Sequence, residues 1–248
     1  MFEKADKYEL VNVEISNIYH ENKGRYGYRR VTLELRKRGF IINHKTVQRL
    51  IKSLGFVCRV RMKKYRSYRG AVGTIAPNLL NRDFYASRPN QKWVTDVTEF
   101  SLFGEKLYLS PILDLYNGEI VSYSLSDNPN FAQTVDMLDK AFTKIPNNTN
   151  LILHSDQGWQ YQMKRYRKML TGKGIIQSMS RKANCLDNAV MENFFGLLKS
   201  ELFYLQKFNS IGHFIDELHG YLYYYNYHRI KVKLNGLSPV AYRIQSVI

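Results

Sequence analysis

The chain is poor in cysteine and in acid, and it has no long apolar run. Only two cysteines occur in 248 residues, Cys58 and Cys185, in widely separated segments. They supply no disulfide framework and fit a reducing compartment. No uncharged apolar stretch approaches the roughly 20 residues that a membrane helix needs. The opening decapeptide, MFEKADKYEL, is charged and lacks an apolar signal core, so a cytosolic location is expected. No basic amphipathic helix with Trp or Phe anchors is present, which argues against a membrane surface. Acids number 21 against 37 Lys and Arg, a net charge of +16. The excess is uneven: residues 1–70 hold 18 basic and 6 acidic side chains, a net of +12, and the rest of the chain only +4. Such asymmetry suggests that the N-terminal part meets a polyanion, against the blander reading of a solvated basic surface.

Hydrophobic residues make up 44% of the chain, enough to build one catalytic domain and a small module. The N-terminal part reads as helices. Val11, Ile15, Ile18 and Tyr19 recur at helical spacing. A second helix is expected over Gly27 to Arg38, with Tyr28, Val31 and Leu35 inward and Gly39 as its stop. Asn43 can cap a third, with Val47, Leu50, Ile51 and Leu54 as its buried stripe and Gly55 at its end. Its opposite face carries Lys45, Gln48, Arg49 and Lys52, with Arg29 and Arg30 on the preceding helix. Two short helices across a tight turn, the second basic outside, describe a helix-turn-helix. A plain three-helix bundle with a charged solvated face is the alternative.

Residues 57–90 form a basic connector in which VCRVRMKKYRSYRG interleaves cations with Tyr65 and Tyr68. Cations neutralise phosphate and aromatics stack on bases; a solvated linker punctuated by Pro77 and Pro89 is the competing reading. Strands are expected over Trp93 to Leu102, Lys106 to Leu115 and Glu119 to Leu125, with hairpin turns at Gly104 and Asn117-Gly118. A helix with Phe131, Val135, Leu138, Phe142 and Ile145 along one stripe follows. Next come a short buried strand, Leu151 to His154, a helix over Tyr161 to Leu170 and a strand over Ile175 to Met179. A long helix after Asp187 and a tyrosine-rich helical end complete an α/β pattern of mixed sheet and flanking helices.

Three acids stand out. Asp96 lies in KWVTDVTEF, Asp156 in LILHSDQGWQYQ and Glu192 in DNAVMENFFGLLKSE. Asp is depleted in strands, so Asp96 inside a β-rich run points to chemistry. Glu192 follows Asp156 by 36 positions, and Lys199 follows Glu192 by seven, two helical turns on the same face. Carboxylate oxygens suit Mg²⁺ or Mn²⁺, and two such cations about 3.5–4 Å apart can hold the attacking and leaving oxygens of a phosphodiester. All three acids are candidate catalytic residues and metal ligands.

These residues resemble the signature of the DDE recombinases of the retroviral-integrase superfamily. With GRYGYRRVTLELRKRG, HSDQGWQY and YNYHRIKVKLNGLSPVAYR in order, nearly the whole chain resembles the second-frame transposase product of two-frame insertion sequences. The resemblance implies a ribonuclease H-like fold with a five-stranded mixed sheet behind a helix-turn-helix module. It also implies two divalent cations, cleavage at the ends of an element, strand transfer by the freed 3′ hydroxyl, and self-association on double-stranded DNA. Lys199 is then expected to touch substrate phosphate. Many relatives carry a histidine two positions after the arginine of the YN-x-x-R run; here Lys231 stands there, and no catalytic role is given to it. The paired His and Cys residues of the retroviral zinc-binding domain are absent, as is a leucine-zipper-like first-frame segment, so an upstream-frame partner or fusion segment is expected.

The expected division is 1–62 for the helix-turn-helix module, 63–90 for the linker and 91–248 for the catalytic domain, its core 91–206 and a helical extension 207–248. Several neighbours have structural readings: Asp114 as a strand residue, Asp187 and Ser238 as helix caps, and His154 as a buried histidine, with orienting Asp156 or touching DNA as its alternatives. His228 and Arg229 either pack or bind phosphate, and the tyrosines from Tyr221 to Tyr227 most simply pack, with a DNA or partner surface as the alternative. Gly158 is expected to allow a sharp turn after Asp156. Two other functions fit less well: a transposon-derived DNA-binding protein that no longer cuts, and a ribonuclease H-like nuclease that only hydrolyses.

Overall fold

The computed structural model describes residues 7–58, 74–182 and 184–245. The basic run with Tyr65 and Tyr68 lies outside the described residues.

Three helices open the chain: α1 (Glu9–Glu21), α2 (Tyr28–Lys37) and α3 (His44–Ser53). Each buries one stripe at three- or four-residue spacing: Val11, Ile15 and Ile18 on α1, Val31 and Leu35 on α2, Val47 and Leu50 on α3. The α3 start follows from its sequence, since Asn43 Oδ1 accepts the Lys45 N–H at 2.9 Å and satisfies an otherwise free first-turn amide. Gly39, just past α2, takes φ +90°, a left-handed position that ends a helix without a Cβ clash. Arg38 ties that turn to α1 through Glu14 at 2.8 Å and through Glu21. The helical core does not close on itself. Ile230, from far along the chain, is buried in the same cluster, and Tyr224 packs against it.

The sheet consists of β1 (Lys92–Thr95), β2 (Thr98–Leu102), β3 (Glu105–Asp114), β4 (Ile120–Ser126), β5 (Ile152–Ser155) and β6 (Ile176–Met179). Six segments therefore replace the expected five strands, because the first expected strand is interrupted at Asp96 and Val97. β1 and β2 both run antiparallel to β3 in one register, with Thr95 opposite Ile112 and Thr98 opposite Leu109. That register carries Asp96 to the level of Pro111, and a proline has no N–H to give to a neighbouring strand. β4 pairs antiparallel with the other side of β3, whereas β1, β5 and β6 lie parallel, in the order β4-β3-β1/β2-β5-β6.

Strand alternation sends successive side chains to opposite faces. Val94, Leu109 and Leu113 face a layer formed by α6 (Ala189–Leu198) and α7 (Ile211–Tyr227), among Met191, Phe194, Phe214 and Leu218. Trp93, Ile112 and Leu153 face α4 (Phe131–Phe142) and α5 (Lys164–Lys173), among Met137, Leu138, Tyr166 and Leu170. The expected helix over 161–170 is displaced: a 3-10 turn, Trp159–Gln162, precedes α5, and the extended backbone of Met163 separates the two. In the tyrosine run, Tyr221 and Tyr225 pack in the core as expected, while Tyr223 and Tyr227 are exposed. The short α8 (Pro239–Gln245) starts after Ser238, whose Oγ accepts the Ala241 N–H at 3.4 Å. Among the described residues, no helix is long and apolar enough to cross a membrane.

Candidate active site

β1 and β5 are parallel neighbours, with Lys92 beside Ile152 and Val94 beside His154. The same offset sets Asp96, one residue past β1, beside Asp156, one residue past β5. Adjacent strands lie about 4.8 Å apart, so two carboxylates leave the sheet at one edge and at one level. Asp96 Oδ1 accepts the Val97 N–H at 2.7 Å, and Oδ2 accepts from Asn188 Nδ2 at 3.3 Å. Asp156 Oδ1 accepts the Gly158 N–H at 2.9 Å. Both acids are half-buried. Burial pushes the Asp96 carboxyl well above the ordinary range, the Asp156 charge pushes it further, Glu192 adds less, and Lys199 opposes them. Burial also raises Asp156 and Glu192.

Glu192 is the fourth residue of α6 and is half-buried. Among the described residues, no three His, Cys, Asp or Glu side chains form a ready ligand group for one ion. Asp96 and Asp156 make the close pair, and Glu192 stands beside them as a weaker electrostatic neighbour. Partly desolvated carboxylates, of which Asp96 also feels the charge of the other two, are the donor set a hard divalent cation fits, because its charge offsets their repulsion and its preferred ligands are oxygens.

The surroundings hold these acids in place. Asn188, at the N-cap position of α6, makes no cap; its side chain goes to Asp96. Asp187 is not the expected helix cap either. It is fully buried in the 3-10 turn before α6 and accepts from the Arg181 N–H, Nε and Nη2, from Arg82 Nε and from Asn78 Nδ2, all within 3.0 Å. That hub pins the loop leading to α6. His154 is buried between Ser178 and Ser180, at 2.8 and 3.2 Å, and burial lowers its pKa to about 4, so it is a neutral packing group. The chain bends at Gln157, just past Asp156, and Gly158 has φ −56°, an ordinary value that other residues also adopt. Its need is steric: a Cβ would lie 2.9 Å from Asp156 Oδ1 and 2.6 Å from Gln160 Nε2. Asp114 is structural, accepting the Asn90 and Tyr116 N–H groups. Lys231 donates to the Asn117 and Gly118 carbonyls and to Tyr225 Oη, bracing the turn between β3 and β4.

Lys199 follows α6 as the first residue of a π turn, Lys199–Phe203, with its Nζ 5.3 Å from the centroid of Phe100. Lys45, Gln48, Arg49 and Lys52 are exposed along one face of α3, and Arg29 is exposed at the start of α2. Arg30 turns inward instead, to within 3.7 Å of Glu201 Oε1. Arg229 is buried and binds Glu201 through Nε and Nη2, so it packs and does not face a phosphate. Sequence reading missed Asn188, Asp187 as a hub, and Glu201. The only signal was polar side chains amid apolar neighbours in CLDNAVMEN and GLLKSELF.

Comparison with known proteins agrees with this architecture. Residues 86–185 match the family described as Integrase core domain, 5–64 match HTH-like domain, and 192–247 match a second Integrase core domain family. The putative transposase InsK for insertion sequence element IS150 of Escherichia coli (strain K12) is 58% identical over 98% of this chain and 86% of its own length. The transposase for insertion sequence element IS904 of Lactococcus lactis subsp. lactis (strain IL1403) is 35% identical over 93% of this chain and 92% of its own. The HTLV-2 integrase catalytic core domain, solved in complex with magnesium, superposes with a TM-score of 0.53 at 18% identity, covering 64% of this chain and 99% of that one. These relatives and family matches show that the chain belongs to the insertion-sequence transposases, DDE-type polynucleotidyl transferases with an integrase core and a helix-turn-helix-like DNA-binding region.

Proposed function

We propose that Asp96, Asp156 and Glu192 are the catalytic acids, and that they hold two divalent cations, Mg²⁺ or Mn²⁺, while the chain cuts and joins DNA at the ends of an insertion sequence. The observation that carries this reading is the shared level of Asp96 and Asp156 at the ends of adjacent parallel strands. When bound, such cations activate a water or a 3′ hydroxyl and stabilise the departing 3′ oxygen. The chain's own part is positional. The Val97 and Gly158 amides each engage one oxygen, of Asp96 and Asp156 respectively, and so fix how the two carboxylates are turned. Asn188 holds the second Asp96 oxygen near the start of α6, the helix that carries Glu192. Lys199 places a positive point charge beside the acids for a substrate phosphate.

The proposed DNA contacts of the N-terminal module are Arg29, Lys45, Gln48, Arg49 and Lys52; Arg30 supports them from behind. The module is assigned to 1–62, the linker to 63–90 and the catalytic domain to 91–248. Joining two DNA ends calls for more than one protomer, so self-association on DNA, with an upstream-frame partner or fusion segment, belongs to the same reading, as does a bacterial cytosolic location. Asp96→Asn, Asp156→Asn and Glu192→Gln are each expected to abolish strand transfer by the purified protein while end binding persists. Joining retained in any one of the three variants removes that residue from the site.

A further inference from the structure

The helix that carries Glu192 does not stop at Leu198. Lys199–Phe203 extends it by a π turn, a rare geometry that recurs at functional sites. Glu201 lies in this turn and is only 1% exposed. Its carboxylate accepts from Arg229 Nε at 2.8 Å, Arg229 Nη2 at 2.7 Å and Tyr221 Oη at 3.0 Å. Arg30 of α2 brings Nη1 to 3.7 Å of the same carboxylate. Arg25, just before α2, donates from Nε to the Glu201 carbonyl oxygen at 3.1 Å, and its guanidinium lies over the rings of Tyr221 and Tyr224.

One buried residue thus gathers two arginines of the N-terminal module and one from the C-terminal segment. Two of these cations, Arg229 and Arg30, meet the carboxylate and the third, Arg25, holds the backbone carbonyl of the same residue; a positive surplus of that kind in a dry site holds together only while the carboxylate stays charged. Neutral contacts continue the seam: Tyr26 Oη accepts the Ile230 N–H at 3.2 Å, and Tyr224 Oη donates to Asn22 Oδ1 at 3.3 Å. From Glu201 back to Glu192 the chain is helical without a break, a span of roughly 13 Å at 1.5 Å per residue. A displacement of the module at Glu201 is therefore transmitted along a stiff rod to the third acid.

We infer that Glu201 is a positioning residue: it fixes where the N-terminal module holds DNA relative to Asp96, Asp156 and Glu192, and so selects the phosphate that is cut. The inference rests on the transposase reading of the acids. The carboxylate does not touch substrate; it sets the register between the recognised sequence and the chemistry.

The test uses the full chain, Mg²⁺ and a duplex carrying an end of the element that encodes it, with the cut phosphate mapped at nucleotide resolution. Glu201→Gln keeps the shape and removes the charge; Arg25→Gln loosens the same joint from the module side. Both variants are expected to bind the duplex as the wild type does, to cut about a hundredfold more slowly, and to spread their cuts over neighbouring phosphates. Asp156→Asn is expected to cut nowhere. Should Glu201→Gln fail to fold by circular dichroism, Arg25→Gln decides alone. Cutting at the wild-type phosphate and rate overturns the inference, and so does a slower rate confined to that one phosphate, which marks a merely structural role. A wild-type protein that binds the duplex and cuts nothing overturns the transposase reading as well.

Discussion

Asn188 donates from Nδ2 to Asp96 Oδ2 across 3.3 Å, joining the start of the helix that carries Glu192 to the strand that carries the first acid. The other amide atom, Oδ1, is buried and has no hydrogen-bond partner. Partners that orient ligand side chains affect activity strongly even though they touch no substrate. Asn188→Leu is therefore expected to lower strand transfer by about 10- to 100-fold. Stability should hold or rise slightly, since an unsatisfied buried oxygen is removed with little change of shape. Joining rates beside thermal midpoints separate the two effects; an unchanged rate would detach Asn188 from the site.

Gly158 supplies the second prediction. Its backbone, at φ −56° and ψ 143°, accepts alanine, but an added Cβ reaches the Asp156 carboxylate and the Gln160 amide. Gly158→Ala should turn Asp156 away from its partner and reduce joining far more than it reduces the midpoint of urea unfolding. Equal activity in the variant would show that the crowding relaxes through Gln160 alone.

Asp187 gives a pH dependence. The Arg181 guanidinium beside it holds its carboxyl well below the usual carboxylate range against the opposing effect of burial, and Arg82 assists. A lowered acid stabilises the fold above its unfolded value of about 3.9, and the contribution disappears as pH falls through the lower folded value. Asp187→Asn should cost about 2–3 kcal/mol at pH 7, and the gap from wild type should shrink only below about pH 4. A gap in urea-unfolding free energy that ignores pH would assign the loss to packing.

The exposed face of α3 makes a fourth. Arg49 is exposed, so Arg49→Ala should weaken DNA binding and reduce the salt slope by about 0.9 for one lost phosphate contact. Arg30, which faces Glu201, should leave the slope unchanged when replaced by glutamine. Binding titrations over a range of salt concentrations decide both, and equal slopes for wild type and Arg49→Ala would take Arg49 off the phosphate backbone.

Much of the fold was legible because its signals are local. The Val47, Leu50 stripe and the Asn43 cap announce α3 within a dozen residues, and the hairpin turn at Asn117-Gly118 announces the pairing of β3 with β4. The break between β1 and β2 was not legible, since its cause stands on another strand at Pro111. Asp187 read as a cap because Asp before a helix usually is one; beside the nearby Arg181, its partners Arg82 and Asn78 lie about a hundred residues away. Glu201 carried no local signal of its role, since its partners Arg229 and Arg30 stand on other segments.

By itself, the sequence determined the periods of the helices and strands, the identity and spacing of Asp96, Asp156 and Glu192, and the concentration of positive charge at the N-terminal end. Those are properties of neighbours along the chain, and local sterics, side-chain alternation and side-chain chemistry are enough to read them. Only the tertiary structure decided that β1 lies parallel to β5, which sets Asp96 level with Asp156, and that Glu201 ties two distant segments to the Glu192 helix. Strand neighbours and buried ion clusters are chosen by the packing of whole faces against one another, a condition on the assembled core that no local stretch of residues contains.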